Sequence, residues 1–206
     1  IVERLKGVYG ISWFPEDGAS YPVRIFLLKD EVMVTIDTSG DSLHKRGYRV
    51  ANVDAPMKET LAAALVKLSF FRPGRVLVDP CCGSGTIPIE AALIAKNRAP
   101  GLKRSFAAEN YPWIDAQIWT QVREEARDRE FRGDYRILGS DNDPKCVSLS
   151  MANARKAGVA DVIAFKDGDA TKMSLPAQEG ILVCNPPYGQ RMLEQQSAQR
   201  LYAALG

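Results

Sequence analysis

The feature that most constrains this chain is an alternation of short apolar runs with longer helix-like segments from residue 75 onward. Arg75–Asp79 (RVLVD) reads as a buried strand, and Thr86–Asn97 (TIPIEAALIAKN) as a helix. Trp113–Phe131 follows as a second helix, with Ile114, Ile118, Val122 and Ala126 spaced by four. Arg136–Gly139, Asp161–Phe165 and Ile181–Cys184 are expected as further strands. Asp143-Pro144 opens a helix reaching about Ala157, with Asp as cap and Pro in the first turn. Runs apolar on both faces and linked by helices predict an α/β fold with a parallel, doubly wound sheet.

The N-terminal part differs. Val23–Leu28 and Val32–Asp37 are β-rich and separated by Lys29-Asp30-Glu31, which predicts a hairpin. Residues 1–38 are expected to be a small separate unit, 39–56 a linker with a basic loop, and 57–206 the α/β domain. A helix is expected from about Met57, with Leu61, Leu65 and Leu68 on one face and Asp54 as its cap. The chain begins at Ile1 and stops at Gly206 within a helix-like stretch, so it is expected to be a piece of a longer protein whose sheet continues.

Composition narrows the function. With 27 basic and 25 acidic side chains the net charge is +2, which argues against a polyanion binder driven by bulk charge. No apolar run approaches the roughly 20 residues of a membrane helix, so no membrane partner is expected. The four cysteines form no CxxC pair and there is one histidine, His44, so neither a zinc site nor a disulfide framework is expected. A protein of a reducing compartment, the cytoplasm, is the default.

Four loops carry chemistry. The first is Asp79-Pro80-Cys81-Cys82-Gly83-Ser84-Gly85-Thr86, between a strand and a helix. Its glycines allow a tight turn and close approach of a ligand to backbone N–H groups. Asp79 there repels a pyrophosphate but suits an ammonium group; an empty strand–helix turn is the alternative. The second is Ser140-Asp141-Asn142-Asp143, where Asp141 can accept both hydroxyls of a ribose. Asp141 lies 56 residues beyond Gly85, against about 20 in dinucleotide sites, so an inserted helix is implied. Two helix caps are the competing reading.

The third loop, Asp167-Gly168-Asp169-Ala170, offers Asp169 as acceptor for an adenine amine, or is a polar turn. The fourth, Asn185-Pro186-Pro187-Tyr188-Gly189, is the most specific. A diproline is stiff and lacks backbone donors, so its carbonyls point outward. The Asn185 side-chain oxygen and the Pro186 carbonyl then form two acceptors for the exocyclic amine of a base, with Tyr188 as a stacking face. Further upstream, Lys45, Arg46 and Arg49 with Tyr48 interleaved form a basic loop suited to phosphate contact, and Lys96, Arg98, Lys103 and Arg104 form another basic stretch. Either stretch could equally be solvated surface.

Taken together, Asp79–Thr86 and Asn185–Tyr188 resemble the cofactor and amine motifs of S-adenosylmethionine-dependent amino-methyltransferases. The strings Asp37-Thr38-Ser39-Gly40, Leu43–Arg49 and Lys58–Ala63 are similar to those of THUMP-containing RNA guanine-N2 methyltransferases, nearest the bacterial enzymes of large-subunit ribosomal RNA. The resemblance implies a Rossmann-like methyltransferase fold preceded by the end of a THUMP module at residues 1–38. It implies S-adenosylmethionine held by Asp79, Pro80, Cys82, Gly83, Ser84, Gly85 and Thr86, with Asp141 and Asn142 at the ribose and Asp169 and Ala170 at the adenine. Asn185, Pro186, Pro187 and Tyr188 would handle the target base, Asn185 also bordering the cofactor. The partner would be ribosomal RNA and the product an N2-methylated guanine. A transfer-RNA guanine or nucleic-acid adenine-N6 enzyme is the alternative, as is a non-catalytic RNA binder with a vestigial cofactor site.

Overall fold

Val2–Tyr9 forms helix α1, ended by Gly10 in the left-handed conformation (φ 64°). Strands β1 (Val23–Leu28) and β2 (Glu31–Ile36) follow and pair antiparallel, from Val23↔Ile36 to Leu28↔Glu31. Lys29 and Asp30 between them both have positive φ (52° and 63°), the geometry that matches the twist of a two-residue hairpin. The computed structural model describes residues 1–51, 56–131, 133, 135–173, 179–187 and 192–205.

The chain divides into two units, one of Ile1–Asp41 with Ser105–Trp119, the other of Ser42–Arg104 with Thr120–Gly206. In the first, Tyr21 stacks on Trp113 with centroids 5.0 Å apart and tilts against Tyr111 at 4.7 Å. The Tyr111 hydroxyl donates to the Asp37 carbonyl at 3.1 Å, and Ala108 N donates to the Thr38 carbonyl at 3.1 Å. These contacts attach a segment far along the chain to the end of the hairpin, a grouping that the expected division at residues 38 and 56 did not include.

The second unit is built on a four-stranded sheet. Its elements are α2 (Glu59–Leu68), β3 (Val76–Asp79), α3 (Thr86–Ala95), α4 (Ala116–Asp128, which begins in the first unit), β4 (Arg136–Asp141), α5 (Pro144–Ala157), β5 (Ile163–Asp167), β6 (Gly180–Leu182) and α6 (Met192–Leu205). The order is β5-β4-β3-β6, with every pairing parallel. The chain thus steps outward from β3 through β4 to β5, then returns to the other side of β3. The strand order therefore reverses at β3, and the carboxyl ends of β3 and β6 lie at the kind of place where doubly wound sheets take their ligands.

Leu77, Ile137, Ile163 and Ile181 from the four strands meet Ile89, Val66 and Ala154 in the core. Helix α3 is buried nearly all round, which is why its sequence is apolar without a polar face. Helix α5 begins as expected: the Asp143 carboxylate accepts from Lys145 N at 2.9 Å, and Gly158 (φ 78°) ends it.

Several element expectations need correction. Helix α2 starts at Glu59 with Lys58 as its extended cap residue; Asp54 lies outside the described residues. Its buried face is Glu59, Ala62 and Val66, while Leu61 and Leu68 point outward at 52% and 73% exposure. Small side chains face inward because α2 packs directly on α3. Helix α4 starts at Ala116 rather than Trp113, and its Ile118 and Val122 are half exposed. Strand β5 begins at Ile163 because Ala160–Val162 closes a 3₁₀ turn. Strand β6 is short, though Val183 N still donates to the Val78 carbonyl at 3.0 Å.

Candidate active site

The turn after β3 is fixed from several sides. Cys82 N donates to the Ser140 carbonyl at 2.9 Å, and Gly83 N to Asp141 Oδ2 at 2.9 Å. Gly83 (φ 53°) and Gly85 (φ 81°) both adopt the left-handed conformation, which side chains resist. Their surroundings differ. A Cβ on Gly83 would meet nothing within 4 Å, whereas one on Gly85 would lie 3.0 Å from the Ser150 side chain. Gly83 therefore leaves backbone open to a ligand, and the missing side chain at Gly85 lets α5 approach closely.

Asp79 is 1% exposed and its Oδ1 accepts from Cys81 N at 3.1 Å. Burial pushes its carboxyl up to about 7, and the charge acting on it is the like charge of Asp141. A buried acid with no cation beside it among the described residues fits a ligand that brings its own positive charge. Burial also pushes up the Cys82 thiol, whose sulfur sits 3.7 Å from Ser150 Oγ, and raises Cys81 to about 12. Both are neutral thiols, unsuited to nucleophilic attack.

Asp141 stands at the end of β4. Besides receiving Gly83 N, it receives Asp143 N on Oδ1 at 3.0 Å. Its carbonyl accepts from Gly168 N at 3.0 Å, so the second and third loops lie together. Asn142 is exposed. Asp169 caps a short 3₁₀ turn that begins at Ala170: Oδ1 accepts from Thr171 N at 2.9 Å and from Thr171 Oγ1 at 2.7 Å. Those bonds hold its carboxyl below the usual carboxylate range.

The diproline loop emerges beside this turn. Val183 bonds to Val78 across the β3–β6 pair, which brings Cys184 and Asn185 alongside the end of β3, and burial, followed by the Asp79 charge, raises the Cys184 thiol. Asn185 and Pro186 are half-buried, and the Asn185 side chain makes no hydrogen bond among the described residues. The Pro187 carbonyl accepts from the Tyr202 hydroxyl of α6 at 3.1 Å, which holds the corner. Tyr188 lies outside the described residues.

The basic loop is a correction at three of its four positions. Tyr48 is 2% exposed and donates to Glu90 Oε1 at 3.2 Å, while Arg46 pairs with Glu90 Oε2 at 3.4 Å. Arg49 pairs with Glu59 at 2.7 Å. These side chains turn inward because two buried carboxylates need them; Lys45 is exposed. The second basic stretch is likewise engaged within the fold: Lys96 pairs with Asp161, Arg98 with Glu130, Arg104 Nη1 donates to the Ser42 carbonyl, and Lys103 donates to the Lys156 carbonyl.

Sequence reading missed Ser150 and Asn153, both wholly buried on α5. Ser150 Oγ donates to the Gly83 carbonyl at 2.7 Å, and Asn153 Nδ2 to the Ser84 carbonyl at 2.9 Å. The available signal was two polar residues three apart on the helix face otherwise formed by Val147, Ala154 and Ala157. Among the described residues no helix is long and apolar enough to cross a membrane, and no group of three or more His, Cys, Asp or Glu could hold a metal ion.

The profile described as UPF0020, RMKL-like, methyltransferase domain, matches residues 46–206. The chain is 45% identical to YpsC of Bacillus subtilis (strain 168), a candidate RNA methyltransferase, over 100% of this chain and 54% of YpsC. It is 42% identical to the ribosomal RNA large subunit methyltransferase K/L of Aliivibrio fischeri (strain ATCC 700601 / ES114), over 89% of this chain and 27% of that protein. It therefore spans about half of the first relative and about a quarter of the second. Among solved structures, SMU.472, a candidate methyltransferase complexed with SAH (S-adenosylhomocysteine), superposes with TM-score 0.87 at 41% identity, over 98% of this chain and 54% of that one. A protein of Listeria monocytogenes str. 4b F2365, described as a candidate N6-adenine-specific DNA methylase, gives 0.91 at 43%, over 99% of this chain and 54% of that one.

Proposed function

The chain belongs to the UPF0020, RMKL-like, methyltransferase-domain family, and from that premise we propose that it methylates the exocyclic N2 amine of a guanine in large-subunit ribosomal RNA. The observation that carries this reading is the adjacency of two loops. The glycine turn after β3 and the Asn185-Pro186-Pro187 corner after β6 leave neighbouring parallel strands on the same side, at the point where the strand order reverses.

Bound S-adenosylmethionine supplies a methyl group on a positively charged sulfonium. Asp79, Pro80, Cys82, Gly83 and Gly85 hold its methionine part, where the buried carboxylate answers an ammonium group and Gly83 offers open backbone. Ser84 and Thr86 shape the turn. Asp141 and Asn142 take the ribose, and Asp169 with Ala170 the adenine. Asn185 and the Pro186 carbonyl accept the two hydrogens of the target amine. Its lone pair is delocalised into the ring, so two in-plane acceptors orient it and favour the positive charge that develops as it reacts. Pro187 stiffens the corner, and Tyr188 stacks on an extruded base. No side-chain nucleophile is needed, consistent with neutral thiols at Cys81 and Cys82.

Ribosomal RNA is favoured by the 42% identity to the K/L enzyme. Residues 1–38 are read as the end of an RNA-binding THUMP module, supported by their place in a unit distinct from the one carrying the glycine turn. A second reading, adenine N6, is supported by the Listeria relative and by a corner that serves any planar exocyclic amine. Nucleoside mass spectrometry of ribosomal RNA from a strain lacking the gene separates them. Loss of N2-methylguanosine, restored by the wild-type gene and not by Asn185→Ala, is expected. Loss of N6-methyladenosine instead moves the assignment to adenine, and an unchanged methylguanosine level overturns the guanine reading.

A further inference from the structure

Segment Ser42–Val50 precedes the sheet, yet it is bonded to the glycine turn twice. The Arg49 guanidinium uses one face of its fork on that turn: Nη1 donates to Ser84 Oγ at 3.0 Å and Nη2 to Thr86 Oγ1 at 3.1 Å. Its remaining bonds anchor it from behind, Nε to Glu59 Oε1 at 2.7 Å and Nη2 to the Met57 carbonyl at 2.8 Å. The next residue completes the link. Val50 N donates to Asn153 Oδ1 at 2.9 Å, and the same amide gives Nδ2 to the Ser84 carbonyl at 2.9 Å. Ser84 and Thr86 are each 5% exposed, so their hydroxyls are buried, whereas a Cβ on Gly83 would meet nothing within 4 Å.

We propose that Arg49 is a positioning residue for cofactor binding, clamping Ser84 and Thr86 from the buried side so that the Gly83 backbone is preset for its ligand. This rests on the reading of that turn as the cofactor site. A turn with two left-handed glycines has little stiffness of its own, and rigidity must come from outside. Arginine suits the task because its planar fork reaches several acceptors at fixed angles, which a lysine cannot do. Glu59, 4% exposed on its side chain, is the counter-ion that keeps the half-buried cation in place.

The test is titration of the full-length protein with S-adenosylhomocysteine by calorimetry, alongside thermal melts. Arg49→Met is expected to raise Kd about tenfold or more, as loss of two charge-assisted bonds implies, and Arg49→Lys to recover only part of it. Ser84→Ala with Thr86→Val removes the same bonds from the other side. Combined with Arg49→Met, it is expected to add less than about twofold, because both changes break one interaction. Arg46→Met, which disturbs the same segment through Glu90 without touching the turn, is expected to keep Kd within about twofold. Unchanged affinity in Arg49→Met, fully additive losses, or an equal loss in Arg46→Met overturns the proposal. If Arg49→Met does not fold, the Ser84/Thr86 variant carries the test, and unchanged affinity there overturns it. Asp79→Asn separates the two levels. If it weakens binding while Arg49→Met does not, only the positioning role fails; if both leave binding unchanged, the assignment of the turn fails as well.

Discussion

Gly83 N donates to Asp141 Oδ2 at 2.9 Å across 58 residues of sequence, joining the turn after β3 to the end of β4. The second carboxylate oxygen takes Asp143 N at 3.0 Å. Asp141 thus shapes the glycine turn as well as standing where a ribose is expected. Asp141→Ala is expected to leave these two amides without their acceptor, costing about 1–3 kcal/mol, and to weaken S-adenosylhomocysteine binding about tenfold or more. Asp141→Asn keeps one oxygen acceptor, so its stability loss should be the smaller of the two. Melting curves and calorimetric titration read both quantities.

Asp79 makes the ligand-free protein sensitive to pH. Its carboxyl rises from 3.8 unfolded to about 7 folded, chiefly through burial. An acid raised on folding contributes stability in its protonated form, present below its unfolded value and lost as pH climbs through the folded one. The melting temperature should therefore fall between pH 5 and pH 8. Glu90, pushed up to about 7 by burial against the pull of Arg46, acts in the same direction, so Asp79→Asn is expected to remove part of the slope rather than all of it. A cationic ligand at Asp79 favours the ionised form, and binding near pH 7 should release a proton, visible as a buffer-dependent heat. A variant with the wild-type pH slope would sink this account.

What could be read in the sequence follows how local each determinant is. The hairpin around Lys29-Asp30-Glu31 and the Asp143-Pro144 helix start depend on neighbours in the chain, and both elements form, the second strand running Glu31–Ile36 rather than Val32–Asp37. The glycine turn and the Asn-Pro-Pro corner are contiguous strings, legible for the same reason. The face of α2 was misread because hydrophobicity favours its leucines, while packing on α3 selects Ala62 and Val66. Arg46 looked solvent-facing because its partner Glu90 lies 44 residues away. Ser150 and Asn153 were invisible on similar grounds: they bond main-chain carbonyls 67 and 69 residues distant, which no side-chain pattern announces.

The two glycines of the turn should respond differently to alanine. At Gly85 a Cβ would sit 3.0 Å from Ser150 Cβ and Oγ with φ at 81°, so left-handed strain of about 1–2 kcal/mol adds to overpacking of about 1–3 kcal/mol. At Gly83 the space is open and only the strain applies. Gly85→Ala is expected to lower the melting temperature the more of the two. Gly83→Ala is expected to impair cofactor binding out of proportion to its stability loss, because the methyl group occupies the approach. Equal stability losses in the two variants would contradict the packing described for Ser150.

Tyr48 decides between a loop that grips RNA and one that anchors the fold. Its hydroxyl donates to Glu90 Oε1 at 3.2 Å inside a pocket that leaves the residue 2% exposed. Burial and the Glu90 carboxylate both raise the phenol, so it stays protonated and can only donate to that acceptor. Tyr48→Phe keeps the ring packing and deletes one bond to a carboxylate, worth about 1.5–3 kcal/mol. In a domain of this size that is a drop of several degrees, at about 2–4 °C per kcal/mol. RNA affinity, and its dependence on salt, should stay as in the wild type, since Tyr48 offers no surface to a phosphate. Filter binding at two salt concentrations beside a melting curve checks this: weaker RNA binding with an unchanged melting temperature would return Tyr48 to the RNA-contacting role.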